Sequence, residues 1–129
     1  MRIPILIALF SLSIAQQGNA QNLSNNQFAI DFYKQIANQE KGNIFFSPFS
    51  LSTAMAMTYA GAKGVTQEQI SQVFHFAANN DKFHIQLGNN IKQINSKAGA
   101  VQLKIVNNLW AEKTYPLTKT YTKLMTTAY

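Results

Sequence analysis

The side chains able to perform acid–base or metal chemistry are few and far apart in this 129-residue sequence. His75 and His84 are the two histidines, and they fall nine positions apart in separate predicted helical segments. Metal binding or base catalysis needs further groups brought to such a histidine. We therefore interpret both as ordinary surface or helix-end histidines.

The possible nucleophiles and carboxylates are equally isolated. Ser47 and Ser50 have no histidine nearby in sequence and no nucleophile-elbow pattern around them. The carboxylates that follow them, Glu68, Asp81 and Glu112, have no second carboxylate at a useful spacing. Cysteine is absent, which excludes thiol catalysis and disulfides. The sequence thus predicts a protein that is not an enzyme and holds no metal or cofactor.

The positive charge does not indicate a nucleic-acid partner. The net charge is +6, but the lysines are spread singly along the chain. The one arginine, Arg2, lies in the N-terminal segment, so bidentate recognition of phosphates or bases has no candidate in the rest of the chain.

The first twenty residues have the pattern of a secretory signal peptide. Met1-Arg2 is followed by an apolar run over Ile3–Ala15 and by the small-residue sequence Gly18-Asn19-Ala20. A membrane anchor is the alternative, but the run is shorter than the roughly 20 residues of a membrane span. We predict cleavage after Ala20, a secreted or periplasmic chain with no membrane association, and a domain over 21–129. Asn22 begins a glycosylation sequon, a weak three-residue signal.

Helical periodicity dominates the rest of the chain. Helices are predicted over Asn26–Gln39, from Pro48 to about Ala60, after a Thr66 cap, over Asp81–Asn95, and after Pro116. Ser47 is the expected N-cap of the second helix, with Pro48 in its first turn. That helix is apolar nearly all round, so we expect it to be buried on most sides.

Two segments have strand character. Asn43–Phe46 is a short apolar strand candidate, and Gln102–Ala111 alternates with period two and carries apolar residues on both sides. No other segment matches the long strand, whose backbone groups need partners. The fold class predicted is α+β, as the first part of a larger sheet-containing domain.

The stretch "NIFFSPFSLSTAMAMTYAGAKGVTQEQI" (43–70) strongly resembles the serpin family. It is similar to the family's strand, Ser-Pro and helix B segment, followed by its turn and helix C. "NQFAIDFYKQI" resembles helix A, and "LKIVNNLWAEKTYPL" resembles strand 2 of the large sheet A with the turn into helix E. The resemblance covers the mature chain and implies helices A to E, a short strand and one strand of sheet A.

Membership implies an inhibitor whose exposed loop is cut by a serine, or sometimes a cysteine, protease and then inserts into sheet A as an extra strand. It also implies that Ser47, Ser50, Asn43 and Asn107 belong to the "shutter", a polar network beneath strands that separate. Helix capping alone explains Ser47 equally well.

The resemblance covers about the first third of a serpin, and the reactive loop is not present in this sequence. The leading interpretation is a secreted serpin-type inhibitor; a non-inhibitory serpin-like binding protein and a truncated product without inhibitory activity are the alternatives. Lys82 and Lys92 form no basic row, so polysaccharide binding is not expected.

Overall fold

The computed structural model describes residues 25–77, 79–97 and 102–129. Within these ranges the chain is mostly helical. The helices are α1 (25–37), α2 (Pro48–Gly61), α3 (Gly64–Phe74), α4 (Asp81–Ser96) and α5 (Lys119–Ala128). The helical periodicity therefore predicted all five of these helices. Where it also predicted a first or last residue, that residue lies within three positions of the observed helix end. The predicted signal peptide and the Asn22 sequon lie outside the described residues.

Helix α2 is covered on one side by the other described helices and open on the opposite side. α3, α4 and α5 all contact it, and its covered side includes Thr53, Ala56 and Tyr59. Leu51 remains 36% exposed, and Ala54 and Thr58 are also exposed. Burial on most sides therefore stays a prediction for the larger domain, since α3, α4 and α5 leave one side of α2 uncovered in the described residues.

The predicted start of α3 is wrong. The helix begins at Gly64, whose φ of 57° is a left-handed conformation suited to glycine, and Lys63 occupies the N-cap position. Thr66 lies inside the first turn and is not the cap. Ile70 is buried as expected, but Val73 is 58% exposed.

Helices α4 and α5 pack closely against each other. Each has a side-chain cap: Asn80 accepts from Phe83 N–H, and Thr118 accepts from Tyr121 N–H. Gly88 of α4 lies directly against the backbone of Ala128, where a methyl group would not fit. The Tyr121 hydroxyl donates to the Met57 carbonyl at 3.0 Å and so links α5 to α2.

The core is largely aromatic. Tyr59, Ile70, Phe76 and Leu87 are buried together with Ala56. Aromatic rings contact one another from α1 through to α4, in the pairs Phe28–Phe74, Phe74–Phe76 and Phe76–Phe83. Close ring pairs add to the stability gained from burial alone. These contacts join α1, α3 and α4.

The two predicted strands are not confirmed. Residues 43–47 and 102–112 are without helix or strand assignment, and the described residues contain no strand ladder. A strand exists only where a neighbour accepts its backbone bonds. Val106 and Trp110 are correspondingly exposed, Trp110 by 91%. The α part of the predicted α+β class is present, and the sheet A strand is not seen in this part of the chain.

Candidate functional site

The two serines predicted for the shutter lie at the start of α2 and contact each other. Ser47 has an extended conformation, and its hydroxyl oxygen accepts from Ser50 N–H at 3.3 Å, so the predicted N-cap is confirmed. The Ser47 hydroxyl also donates to the Ser50 hydroxyl at 3.0 Å. Ser47 therefore donates and accepts at once, which a hydroxyl can do in more than one arrangement.

The two asparagines predicted for the same network lie elsewhere. Asn43 is exposed in the segment before α2, and Asn107 is half-buried in the non-helical residues 102–112, called the extended segment from here on. In the described ranges no hydrogen bond joins either asparagine to Ser47 or Ser50. The structure thus brings the two serines together and leaves both asparagines apart from them.

Asn107 lines an open groove between the extended segment and α5. The groove has a volume of about 420 Å³ and is lined by Met57, Asn107, Asn108, Leu109, Trp110, Met125, Thr126 and Tyr129. The Nδ2 atom of Asn107 is buried and has no hydrogen-bond partner among the described residues. A buried donor without an acceptor is costly, so this amide is left unsatisfied among the described residues.

A buried histidine network joins α2, α4 and α5, and it was not predicted. His84 is 0% exposed. Its Nε2 lies 2.9 Å from Asn79 Oδ1, and its Nδ1 lies 2.8 Å from the Tyr129 hydroxyl. Asn79 Nδ2 donates to the Tyr59 carbonyl at 2.6 Å. These contacts assign Nε2 as the protonated ring nitrogen and Nδ1 as the acceptor from Tyr129.

The network favours the neutral form of the His84 imidazole. Burial lowers the pKa of His84 below its ordinary value of 6.5, although the charge of Asp81 raises it. Burial also raises the pKa of Tyr129 and keeps its hydroxyl a donor. The interpretation of His84 as a surface or helix-end residue is wrong, because both ring nitrogens find buried partners. Its helical spacing with Leu87 and Gly88 was the available signal.

His75 matches its prediction as a helix-end residue. It lies at the C-cap of α3 with φ of 55°. Its Nε2 lies 3.0 Å from Asp31 Oδ2 and so joins α3 to α1. Hydrogen bonds from Gln27 and then from His75 lower the pKa of Asp31. Both partners are solvent-accessible, so the pair contributes little to stability.

The described ranges hold no group of three or more histidine, cysteine or acidic side chains arranged to bind a metal ion. None of the helices in those ranges has the length and apolar character needed to cross a membrane.

The sequence that forms these helices matches the model of one protein family. The serpin family model, described as serine protease inhibitor, matches residues 23–129. This chain belongs to the serpin family.

Its curated relatives come from distant organisms. A serpin-like protein of Methanosarcina acetivorans is 41% identical over 101 residues, which is 76% of this chain and 24% of the relative. Ipis-1 of Ixodes persulcatus is 39% identical over 113 residues, 84% of this chain and 29% of that protein. The human leukocyte elastase inhibitor is 40% identical over 93 residues, 71% of this chain and 24% of that protein.

The chain spans about a quarter to a third of the length of the curated relatives it matches. No solved structure matches it significantly.

Proposed function

We propose that this chain is the N-terminal portion of a secreted serpin-type inhibitor that traps a serine protease by loop insertion. The observation that carries the proposal is the family match, which runs through residues 23–129 and so includes every described helix. A relative named as an inhibitor of leukocyte elastase supports a protease as the partner. Cysteine proteases are the second class of target.

In this proposal the start of α2 contributes the mobile polar contacts of the shutter. Ser47 and Ser50 are joined by one bond between their hydroxyls and by one from Ser50 N–H to the Ser47 hydroxyl. Small hydroxyls can satisfy one another in two arrangements, whereas tight apolar packing favours a single one. Asn107 and Asn43 would join the serines when neighbouring strands cover α2. The exposed Leu51 and Ala54 identify the side of α2 available for that covering.

The test of inhibition is covalent trapping by the full-length protein. It would be incubated with leukocyte elastase and trypsin, and the products separated under denaturing conditions. We expect a complex that survives denaturation, because the acyl bond is retained when loop insertion distorts the protease. The matched control is the same protease with its catalytic serine replaced by alanine, which should form no such complex.

Two outcomes would contradict inhibition. Reversible binding to both active and inactivated protease would indicate a non-inhibitory serpin-like binding protein. Neither cleavage nor binding would indicate a product without inhibitory activity.

We also propose that the protein is secreted after cleavage between Ala20 and Gln21. The basic start, the apolar run and the small residues before Gln21 support this. N-terminal sequencing of the protein from the culture medium should begin at Gln21. Retention in the cell fraction with Met1 still present would contradict secretion.

A further inference from the structure

The side chain of Asn95 pairs with the backbone of a residue in the extended segment. Asn95 lies in the last turn of α4, and Ile105 lies ten residues later. Asn95 Nδ2 donates to the Ile105 carbonyl at 2.9 Å, and Ile105 N–H donates to Asn95 Oδ1 at 2.7 Å. Both backbone groups of Ile105 are therefore satisfied by a single amide side chain.

This reciprocal pair has the pattern of an antiparallel sheet. In a hydrogen-bonded pair of such strands, two facing residues exchange both N–H and carbonyl bonds. The carboxamide of Asn95 supplies the same donor and acceptor from a helix. It therefore occupies one edge of the extended segment at Ile105. In extended backbone the N–H and carbonyl groups of Lys104 and Val106 point to the opposite edge.

The pair also fixes which residue lies at each position. A slip of one residue in an extended segment moves every side chain to the other face. Asn107 is two residues beyond Ile105 and therefore lies on the same face. With Ile105 held, Asn107 keeps its place in the lining of the groove beside α5, with its Nδ2 atom buried.

We propose that Asn95 is a positioning residue that sets the register of residues 102–110 and thereby places Asn107. The alignment of residues 102–110 by Asn95 does not depend on protease inhibition. The role of Asn107 in the shutter does rest on the proposed function, so the experiment below tests the alignment without a protease.

The experiment is amide hydrogen exchange followed by nuclear magnetic resonance on the full chain. In the unsubstituted protein, the Ile105 amide should exchange more slowly than those of Lys104 and Val106. Asn95→Leu removes both bonds, and Ile105 exchange should then accelerate roughly tenfold, as expected for the loss of a typical hydrogen bond. The Asn107 side-chain amide resonance should shift in the same variant.

The matched control is Asn89→Leu, which changes an exposed asparagine of the same helix. It should leave the Ile105 and Asn107 signals unchanged. Leucine has a higher helix propensity than asparagine, so neither substitution opposes α4.

Three results would overturn the proposal. The first is that the Ile105 amide of the unsubstituted protein exchanges as fast as those of its two neighbours. The second is that Asn95→Leu leaves Ile105 exchange unchanged. The third is that Ile105 exchange accelerates while the Asn107 resonance does not move, since Asn95 would then make a local bond without setting the register.

Discussion

Gly88 is the position where one added methyl group should do most damage. A Cβ atom there would lie 1.5 Å from the carbonyl oxygen of Ala128 and 2.6 Å from its carbonyl carbon. These are backbone atoms, so no side-chain rotation can relieve the contact. Reaching an ordinary separation of 3.4 Å moves the end of α5 by roughly 2 Å. The adjacent Tyr129 would then move away from His84.

The expected cost of Gly88→Ala follows from two opposing effects. Overpacking costs about 1–3 kcal/mol and occasionally more, and the loss of the Tyr129–His84 bond adds to it. The higher helix propensity of alanine offsets about 1 kcal/mol of this loss in the free energy of unfolding. We expect the free energy of unfolding to fall by about 2 kcal/mol. With a urea dependence of about 1–3 kcal/mol per molar, the unfolding midpoint drops by about 1 M.

The assay is equilibrium urea unfolding of the full chain, followed by far-ultraviolet circular dichroism. The matched control is Gly42→Ala, because a Cβ at Gly42 meets nothing within 4 Å and its φ is not left-handed. That control should change the free energy by less than about 1 kcal/mol. An unchanged or higher midpoint for Gly88→Ala would refute the close packing of α4 on α5.

Three further outcomes test the buried network and the α2 cap. Tyr129→Phe leaves Nδ1 of the buried His84 without its donor and should lower the free energy of unfolding by about 1–3 kcal/mol; an unchanged urea midpoint would contradict this. The free energy of unfolding should fall as the pH drops below 6.5, because the unfolded state binds a proton at His84 before the folded state, whose pKa is lower. His84→Gln should flatten that part of the pH profile, and an identical slope in both proteins would rule out His84 as its source. Ser47→Ala removes the N-cap acceptor and should cost about 1 kcal/mol, whereas Ser50→Ala keeps the cap and should cost less; equal losses would show that capping is not the main role of Ser47.

The helices and the cap of α2 could be predicted because their signals are local. Apolar residues at helical spacing place Leu87 on the buried side of α4. The sequence Ser47-Pro48 predicts the start of α2, which the structure places at Pro48 with Ser47 as its cap. Such features depend on neighbours in sequence, which the sequence displays directly.

The buried contacts between helices could not be predicted in the same way. His84 is buried because Tyr129, 45 residues away, supplies a donor. From the sequence, Gly88 is only a residue that slightly destabilises α4. In the structure the backbone of Ala128 lies against it. Thr66 has the spacing of a cap, but Lys63 is the cap and the left-handed Gly64 starts the helix three residues earlier than predicted. In each case the deciding contact or conformation lies outside the local pattern.

The bond from Tyr121 to the Met57 carbonyl can form only after the ribosome has made both residues. The two residues are 64 positions apart in the chain. At about 5–20 residues per second, the ribosome needs roughly 3–13 s to make Tyr121 after Met57. During that interval α2 has already been made, but the helix that covers the Met57 side of it has not. The Met57 side of α2 can therefore be covered by α5 only at the end of that interval.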